Sequence, residues 1–280
     1  MNLSLSFALS SRLFGSGVDP DAQAYINAVT SAKGSSPSLL QTVAIDNFYK
    51  AEKAAGRYSK HKMMYLPIWA NAAANAIDLI SLTSGTFVGD VTHGSGYIQG
   101  DGTTGYFRTG KIANTLGLDL ATNYGSASVL VNRADSRNQN AEWLGATDGA
   151  NRRLLLGQAT NNFTSGNAYS AAAGASLGDA LKRGIYTVSV ESSSLRRWRR
   201  YSNGNVLAGS ASNSTLNTTT APTVEQYLLA RNNNNAGATL HTDARLGFAH
   251  MGFVMTETEL NDFANNVETL WETCTGLTLP

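Results

Sequence analysis

From Met63 onward the sequence is a succession of short apolar or alternating runs, at 63–69, 76–82, 97–98, 126–132, 143–145, 154–157, 185–191, 226–230 and 246–253, divided by clusters of Gly, Asn, Ser and Asp. Runs this short, with turn-formers between them, predict an antiparallel sandwich or barrel rather than a sheet with crossover helices. Composition agrees. Of 280 residues, 27 are Gly and 25 are Asn. Only 15% are charged, against roughly 25% in an average soluble domain, so amides and turns carry much of the surface polarity. Ser202-Asn203-Gly204-Asn205 is a hairpin signal, because both central residues of a type I′ turn need positive φ. The small-residue stretches at 168–174 and 210–220 read as long surface loops.

Helices flank these strands. Asp19-Pro20-Asp21 starts one, with Asp as N-cap, Pro where the missing N–H costs nothing, and a second acid against the dipole; Gly34 stops it after about Lys33. A second begins near Ser38, spaces Leu39, Leu40, Val43, Ile45, Phe48 and Tyr49 in roughly helical register, and ends at Gly56. This hairpin has apolar faces that need a partner, either the following domain or another subunit. Ahead of it, Leu3, Leu5, Phe7 and Leu9 alternate as in a strand, with no basic region of the kind that opens a secretory signal. Thr256 and Glu259 form a capping box for a closing helix with an apolar stripe of Leu260, Phe263, Val267, Leu270 and Trp271, ended by Gly276. Two regions follow: 1–60, a strand and helical hairpin for attachment or oligomer contacts, and 61–280, a sandwich with its closing helix.

Several functions are disfavoured. A net charge of +1 gives no cation excess for neutralising phosphates, so direct nucleic-acid binding is not expected. No run of 18 apolar residues suggests membrane insertion. The single Cys274 cannot form an intrachain disulfide. His61, His93, His241 and His250 lie too far apart in sequence for a zincin motif. Gly100-Asp101-Gly102-Thr103-Thr104-Gly105 matches a dinucleotide fingerprint, but a strand-like segment follows where a helix is required, so it reads as a turn. The i, i+2 acid pairs, Asp19/Asp21 and Glu257/Glu259, sit in helix first turns, which argues against a strand-borne glycosidase pair. No Gly-x-Ser-x-Gly elbow nominates a nucleophile. The chain reads as a non-enzyme without a cofactor.

Four stretches taken in order, GSGYIQGDGTTGYF at 94–107, RWRRYSNGNVLAGS at 197–210, LARNNN at 229–234 and LGFAHMGFVMTETEL at 246–260, resemble the concanavalin A-like, laminin-G-like jelly roll that recurs as a module of phage virion proteins. The front half is similar to the leader of phage structural proteins: a DPDAQAYINA helix, a second helix ending near Lys60 and Lys62, and a strand with Tyr65 and Trp69. The resemblance implies a mainly β fold, an antiparallel jelly-roll sandwich with an N-terminal helical hairpin and a C-terminal helix. It also leaves open a structural calcium site of the laminin-G kind at loop carboxylates such as Asp90, Asp101 or Asp243. Its motifs are strand and turn patterns, which specify fold better than activity.

The sharpest local feature is Arg196-Arg197-Trp198-Arg199-Arg200, followed by Tyr201. In a strand, Arg196, Trp198 and Arg200 face one way and Arg197 and Arg199 the other, so neither side makes a dry core without paired charges. The segment is expected at an edge, on a solvent face or against another subunit. One reading is an Arg/Trp surface for an acidic glycan or an acidic neighbour; the other is a solvated face with Trp198 inserted in the core. Asn232, Asn233 and Asn234 offer amides at a rim, or simply form a turn. Together these readings describe a structural subunit of a phage or virus particle, such as an appendage, fibre, spike or decoration protein. It would assemble with other virion proteins as a homo-oligomer, be made in the host cytoplasm, and offer a surface for host polysaccharide. The alternative is a bacterial carbohydrate-binding or carbohydrate-cleaving protein.

Overall fold

The computed structural model describes residues 17–118, 124–137, 139–150, 152–159, 163–168, 176–177, 183–192, 194–203, 205–212 and 220–279. Helix α1, Pro20–Lys33, is capped by the Asp19 carboxylate, which accepts from the N–H groups of Asp21 and Ala22, and it ends at Gly34 with φ 75°. Helix α2, Leu39–Ala54, starts on the reciprocal cap of Ser38 and Gln41. Strand β1, His61–Tyr65, and a short helix α3, Ala72–Asn75, lead into the strands β2 (Thr86–Val88), β3 (Val91–Gly94), β4 (Tyr97–Gly100) and β5 (Tyr106–Ile112). There follow β6 (Gly125–Arg133), β7 (Ala141–Thr147), β8 (Arg153–Ala159), β9 (Phe163–Ala168), β10 (Ser176–Leu177), β11 (Gly184–Val190), β12 (Arg196–Ser202) and β13 (Asn205–Ser212). The chain ends with β14 (Glu225–Leu228), β15 (Arg231–Asn233), β16 (Ala238–Thr239), β17 (Arg245–Phe253) and α4 (Glu257–Thr275). The Thr256–Glu259 box caps α4, and Gly276, at φ 69°, closes it.

Among the described residues the strands form two sheets. The first has the order β13-β12-β11-β6-β17-β4-β3, with β1 also on β17; the second has the order β10-β9-β8-β7-β14-β5-β2, with β15 on β7 and β16 on β15. The β15–β7 pairing is parallel, and the other pairings are antiparallel. The fold is the expected antiparallel jelly-roll sandwich with helices at both chain ends.

Two cores lie on the two faces of the first sheet. Between the sheets lie Val129, Val131, Trp143, Leu144, Leu154, Leu156, Tyr186, Val188, Trp198 and Leu228. On the other side of the first sheet, Leu130, Ile185 and Phe248 pack against Tyr25, Val29, Ile45, Phe48, Phe263, Val267 and Leu270 of the helices. Strands β6 and β11 are therefore buried over most of their length, including Ser126, Ser128, Thr187 and Ser189, of which the Ser128 and Thr187 hydroxyls hydrogen-bond at 3.1 Å across the strands. The partner needed by the hairpin is the sandwich itself, joined by α4. The second sheet has no described helix on its outer face.

Three expectations change. The run 76–82 is not a strand: it follows α3 as a turn organised by buried Asp78, whose Oδ1 accepts from Met64 N and Ile80 N and whose Oδ2 accepts from Ser81 Oγ. The loops expected at 168–174 and 210–220 begin later, because residue 168 closes β9 and residues 210–212 close β13; their remainders at 169–174 and 213–219, like the strand expected at 3–9, fall outside the described residues. Strand β12 is not at an edge, since β11 and β13 flank it. The Ser202–Asn205 hairpin is present, with Asn203 at φ 49°.

Candidate functional site

The arginine-rich strand is built into the molecule. Arg196 is fully buried, with its guanidinium 5.9 Å from the Trp198 ring centroid on the inter-sheet side, and burial lowers its pKa. Arg200, also buried, donates to Arg183 O at 3.2 Å. Tyr201 turns the other way, into the helix-covered core. Arg199 pairs with Glu257 at 3.0 Å and Arg197 with Glu191 at 2.8 Å. Arg197 and Arg199 thus meet acids of their own chain, Trp198 is inserted in the inter-sheet core, and the strand lies inside the sheet rather than at the expected edge. Arg197 keeps access to solvent. It lines an open cleft of about 450 Å³ with Lys60, Glu191, Glu257 and Glu259, where Lys60 and Glu259 pair at 2.6 Å.

The asparagine run is a turn. Asn232 is buried, its amide donating to Glu225 O at 2.9 Å and its Oδ1 accepting from Asn235 N. Asn234 and Asn235 take φ 53° and 59°, and Asn234 Oδ1 accepts from Gly149 N. Asn233 and Asn234 remain exposed.

The fingerprint-like loop is likewise a turn. Asp101 accepts from the backbone of Thr103, Thr104 and Gly105 and from both Thr hydroxyls, and these bonds outweigh burial and hold its carboxyl far below the ordinary range. Asp135 is buried; burial alone would raise its pKa, but hydrogen bonds from Arg137, Thr242 and Asp243 N bring it to about 2. Asp243 accepts from Ser136 N and Oγ. Among the described residues no three His, Cys, Asp or Glu side chains converge on a common point.

One constellation was invisible to sequence spacing. His61 and His250 are 189 positions apart, yet His61 Nδ1 lies 3.1 Å from His250 Nε2. His61 Nε2 lies 2.9 Å from Glu52 Oε2, and Glu52 also accepts from Arg57 and Asn266. Both imidazole rings pack against Phe263. Glu52, Arg57, His61 and His250 are buried, and the cluster holds α2, β1, β17 and α4 together.

On the outer side of the second sheet Tyr227, Leu155 and Gly145 are buried and Tyr106 half-buried, while Arg108 is exposed. Leu154, Leu156, Leu228 and Phe107 point to the inter-sheet core, so their neighbours in the strands point outward. Cross-strand register sets Leu155, Gly145, Tyr227 and Arg108 side by side on β8, β7, β14 and β5, a row about 14 Å wide at ~4.8 Å per strand. Tyr106 lies against Tyr227, with centroids 4.9 Å apart and planes at 36°, and His241 meets Tyr106 edge-on at 5.8 Å. Burial raises the Tyr227 phenol, and Glu225 adds to the effect. Glu225 Oε2 accepts from Arg108 Nε and Nη2, and its Oε1 accepts from Gly110 N. The Arg108 side chain is 50% exposed but fixed in orientation. An aromatic shelf with an oriented guanidinium can stack on a flat apolar face and hydrogen-bond at its rim. In the sequence, the i, i+2 pairs Tyr106/Arg108 and Glu225/Tyr227 on neighbouring strands are the signal that could have found it.

No family model and no curated protein sequence matches the chain. Solved structures do resemble it. The Trypanosoma rangeli sialidase in complex with 2,3-difluorosialic acid superposes with a TM-score of 0.52 at 13% identity, over 81% of this chain and 39% of the sialidase. The binding domain of botulinum neurotoxin serotype D gives 0.50 at 11% identity, over 74% of this chain and 52% of that domain. The chain thus matches about two fifths to one half of those structures' lengths, and at this identity the likeness is one of fold.

Proposed function

We propose that this chain is a non-enzymatic carbohydrate-binding structural protein, and that its saccharide lies on the outer face of the second sheet. The carrying observation is the Tyr106–Tyr227 shelf beside the oriented Arg108–Glu225 pair, on a face without a described helical cover. Sugars present apolar C–H faces ringed by hydroxyls, and such a shelf with fixed polar side chains at its edge complements both. The fold neighbours include a sialidase and a toxin binding domain, which supports the sandwich as a scaffold for this use while the site argument rests on the residues. The resemblance to phage modules supports placing the protein in a virion, where it would assemble as an oligomer with other particle proteins and meet host polysaccharide. In that setting, the cleft where Arg197 and Lys60 face Glu191, Glu257 and Glu259 is the surface proposed for subunit contacts.

The test is binding of the full chain to a panel of extracted host-surface polysaccharides. Tyr106→Ala is expected to weaken binding about two- to tenfold, since aromatic stacking contributes about 0.5–1.5 kcal/mol beyond buried area, and Arg108→Ala is expected to weaken it less. Undiminished binding in both variants would place the ligand elsewhere.

A further inference from the structure

Helices α2 and α4 pack side by side and leave between them a pocket of about 180 Å³. Buried Ala44, Phe48 and Leu270 line it together with exposed Asn47 and Thr269, so its floor is apolar and its mouth polar. None of the described residues that line it is charged. A cavity of about 150 Å³ among apolar side chains accepts one benzene ring, so this pocket has the size of one aromatic side chain. Leu40, one turn ahead of Ala44, is exposed and continues the apolar strip along α2.

The chain enters α1 beside this pocket. Gly17 O accepts from Lys50 Nζ at 2.8 Å, and Asp19 N donates to Asp46 Oδ1 at 2.7 Å. Lys50 lies three residues after Asn47, so on the surface of α2 it neighbours a side chain of the pocket mouth. Residues 1–16, outside the described residues, precede this point. They include Leu3, Leu5, Phe7, Leu9, Leu13 and Phe14, with Arg12 as the only charged side chain, a composition opposite to that of a solvated tail. Phe14 stands three residues before Gly17, a reach of at most about 11 Å, which matches the roughly 10 Å needed to cross one helix. Phe7 stands ten residues away, and closing the longer loop costs more entropy.

We propose that the segment 1–16 folds back over α2 of its own chain and places the Phe14 side chain in the pocket between α2 and α4. So short a tether gives an effective concentration on the order of millimolar, which favours the segment of the same chain over that of a second copy.

The test is limited trypsin digestion of the full chain, read by intact mass, because Arg12–Leu13 is the single tryptic bond of the segment. Each rate is divided by that of a matching peptide of residues 1–17, which removes any direct effect of sequence on the protease. Phe14→Ala is expected to speed the cleavage at least about tenfold, since a phenyl side chain withdrawn from an apolar pocket loses about that factor or more. Ala51→Trp, which fills the pocket from within, should do the same. Phe7→Ala should change the rate less than about twofold, as a surface substitution does. In a second measurement, the thiol of Thr269→Cys at the pocket mouth should react with a maleimide more slowly in the parent background than in Phe14→Ala. Equal normalised cleavage in the parent and Phe14→Ala, or equal labelling of Thr269→Cys in both, would overturn the docking. Acceleration by Phe7→Ala and not by Phe14→Ala would overturn the choice of anchor. Protection that rises with protein concentration, alongside a dimeric mass in light scattering, would seat the segment on a second copy and overturn the arrangement within one chain.

Discussion

An added methyl group at Gly157 would collide with Glu142 Oε2 and with the Ala141 carbonyl oxygen, and would approach Glu142 Cα to 2.9 Å. The missing side chain is therefore what lets β8 pass beneath the Glu142 carboxyl. Gly157→Ala is expected to destabilise the fold by about 1–3 kcal/mol, as overpacking does, read as a lower midpoint in denaturant. Glu142 has its own pH signature. Its folded pKa of about 8 stands above the ordinary value of 4.5, so its contribution is fully present below the lower value and is lost as pH rises to the higher one. Comparing the melting of Glu142→Gln with that of the parent across this window checks the sign: the parent should lose more stability on the alkaline side. None of this is legible in the sequence, where Glu142 is one acid in a strand without a neighbouring acid and Gly157 reads as a turn-former. Burial and cross-strand register assign their roles, and both depend on chain segments remote in sequence.

At the scale of elements, the helices show the opposite balance. Asp19, Ser38 and Thr256 act as N-caps and Gly34 and Gly276 as left-handed terminators where the sequence indicates them, because capping is decided within four residues of the helix end. Strand β12 was harder to place. Alternation gave the two faces of Arg196–Arg200, but which face meets Glu191, Glu257 or Trp198 depends on partners that local pattern does not name. The same holds for the Glu52–His61–His250 network that ties α2, β1, β17 and α4. Burial works to raise the Glu52 carboxyl, yet hydrogen bonds from His61, Arg57 and Asn266 hold it at about 2, below its ordinary 4.5. Its stabilisation is present above the ordinary value and is lost as pH falls through the lower one. Burial also lowers the His250 pKa well below 6.5, so the unfolded chain binds the extra proton first and stability declines as pH drops below that value. In a Glu142→Gln background, which removes the opposing gain of that carboxyl, melting temperature should fall on acidification from neutral pH, and adding His250→Gln should flatten that fall; an identical slope would exclude His250 as its source. Glu52→Ala, which leaves Arg57 buried without its carboxylate, should cost about 3–5 kcal/mol.

For the whole molecule, the second core makes the helical hairpin integral to the sandwich. Leu130, Ile185, Phe248 and Met64 on the first sheet are covered by α1, α2 and α4, so deleting residues 1–60 is expected to expose this face and yield an aggregating product, seen by size-exclusion chromatography. A monodisperse, folded 61–280 fragment would contradict the shared core. The first sheet carries the helices on its outer side, and the proposed function assigns the outer face of the second sheet to a saccharide. That proposal is tested most directly by hydrogen exchange of the full chain with and without a saturating polysaccharide that it binds. The account predicts slowed exchange in β5, β14 and β15, at residues 106–112 and 225–233, with the helices and β12 unchanged. Protection confined to 196–202 or to the cleft around Lys60 and Glu257, or none at all on a ligand shown to bind, would contradict it.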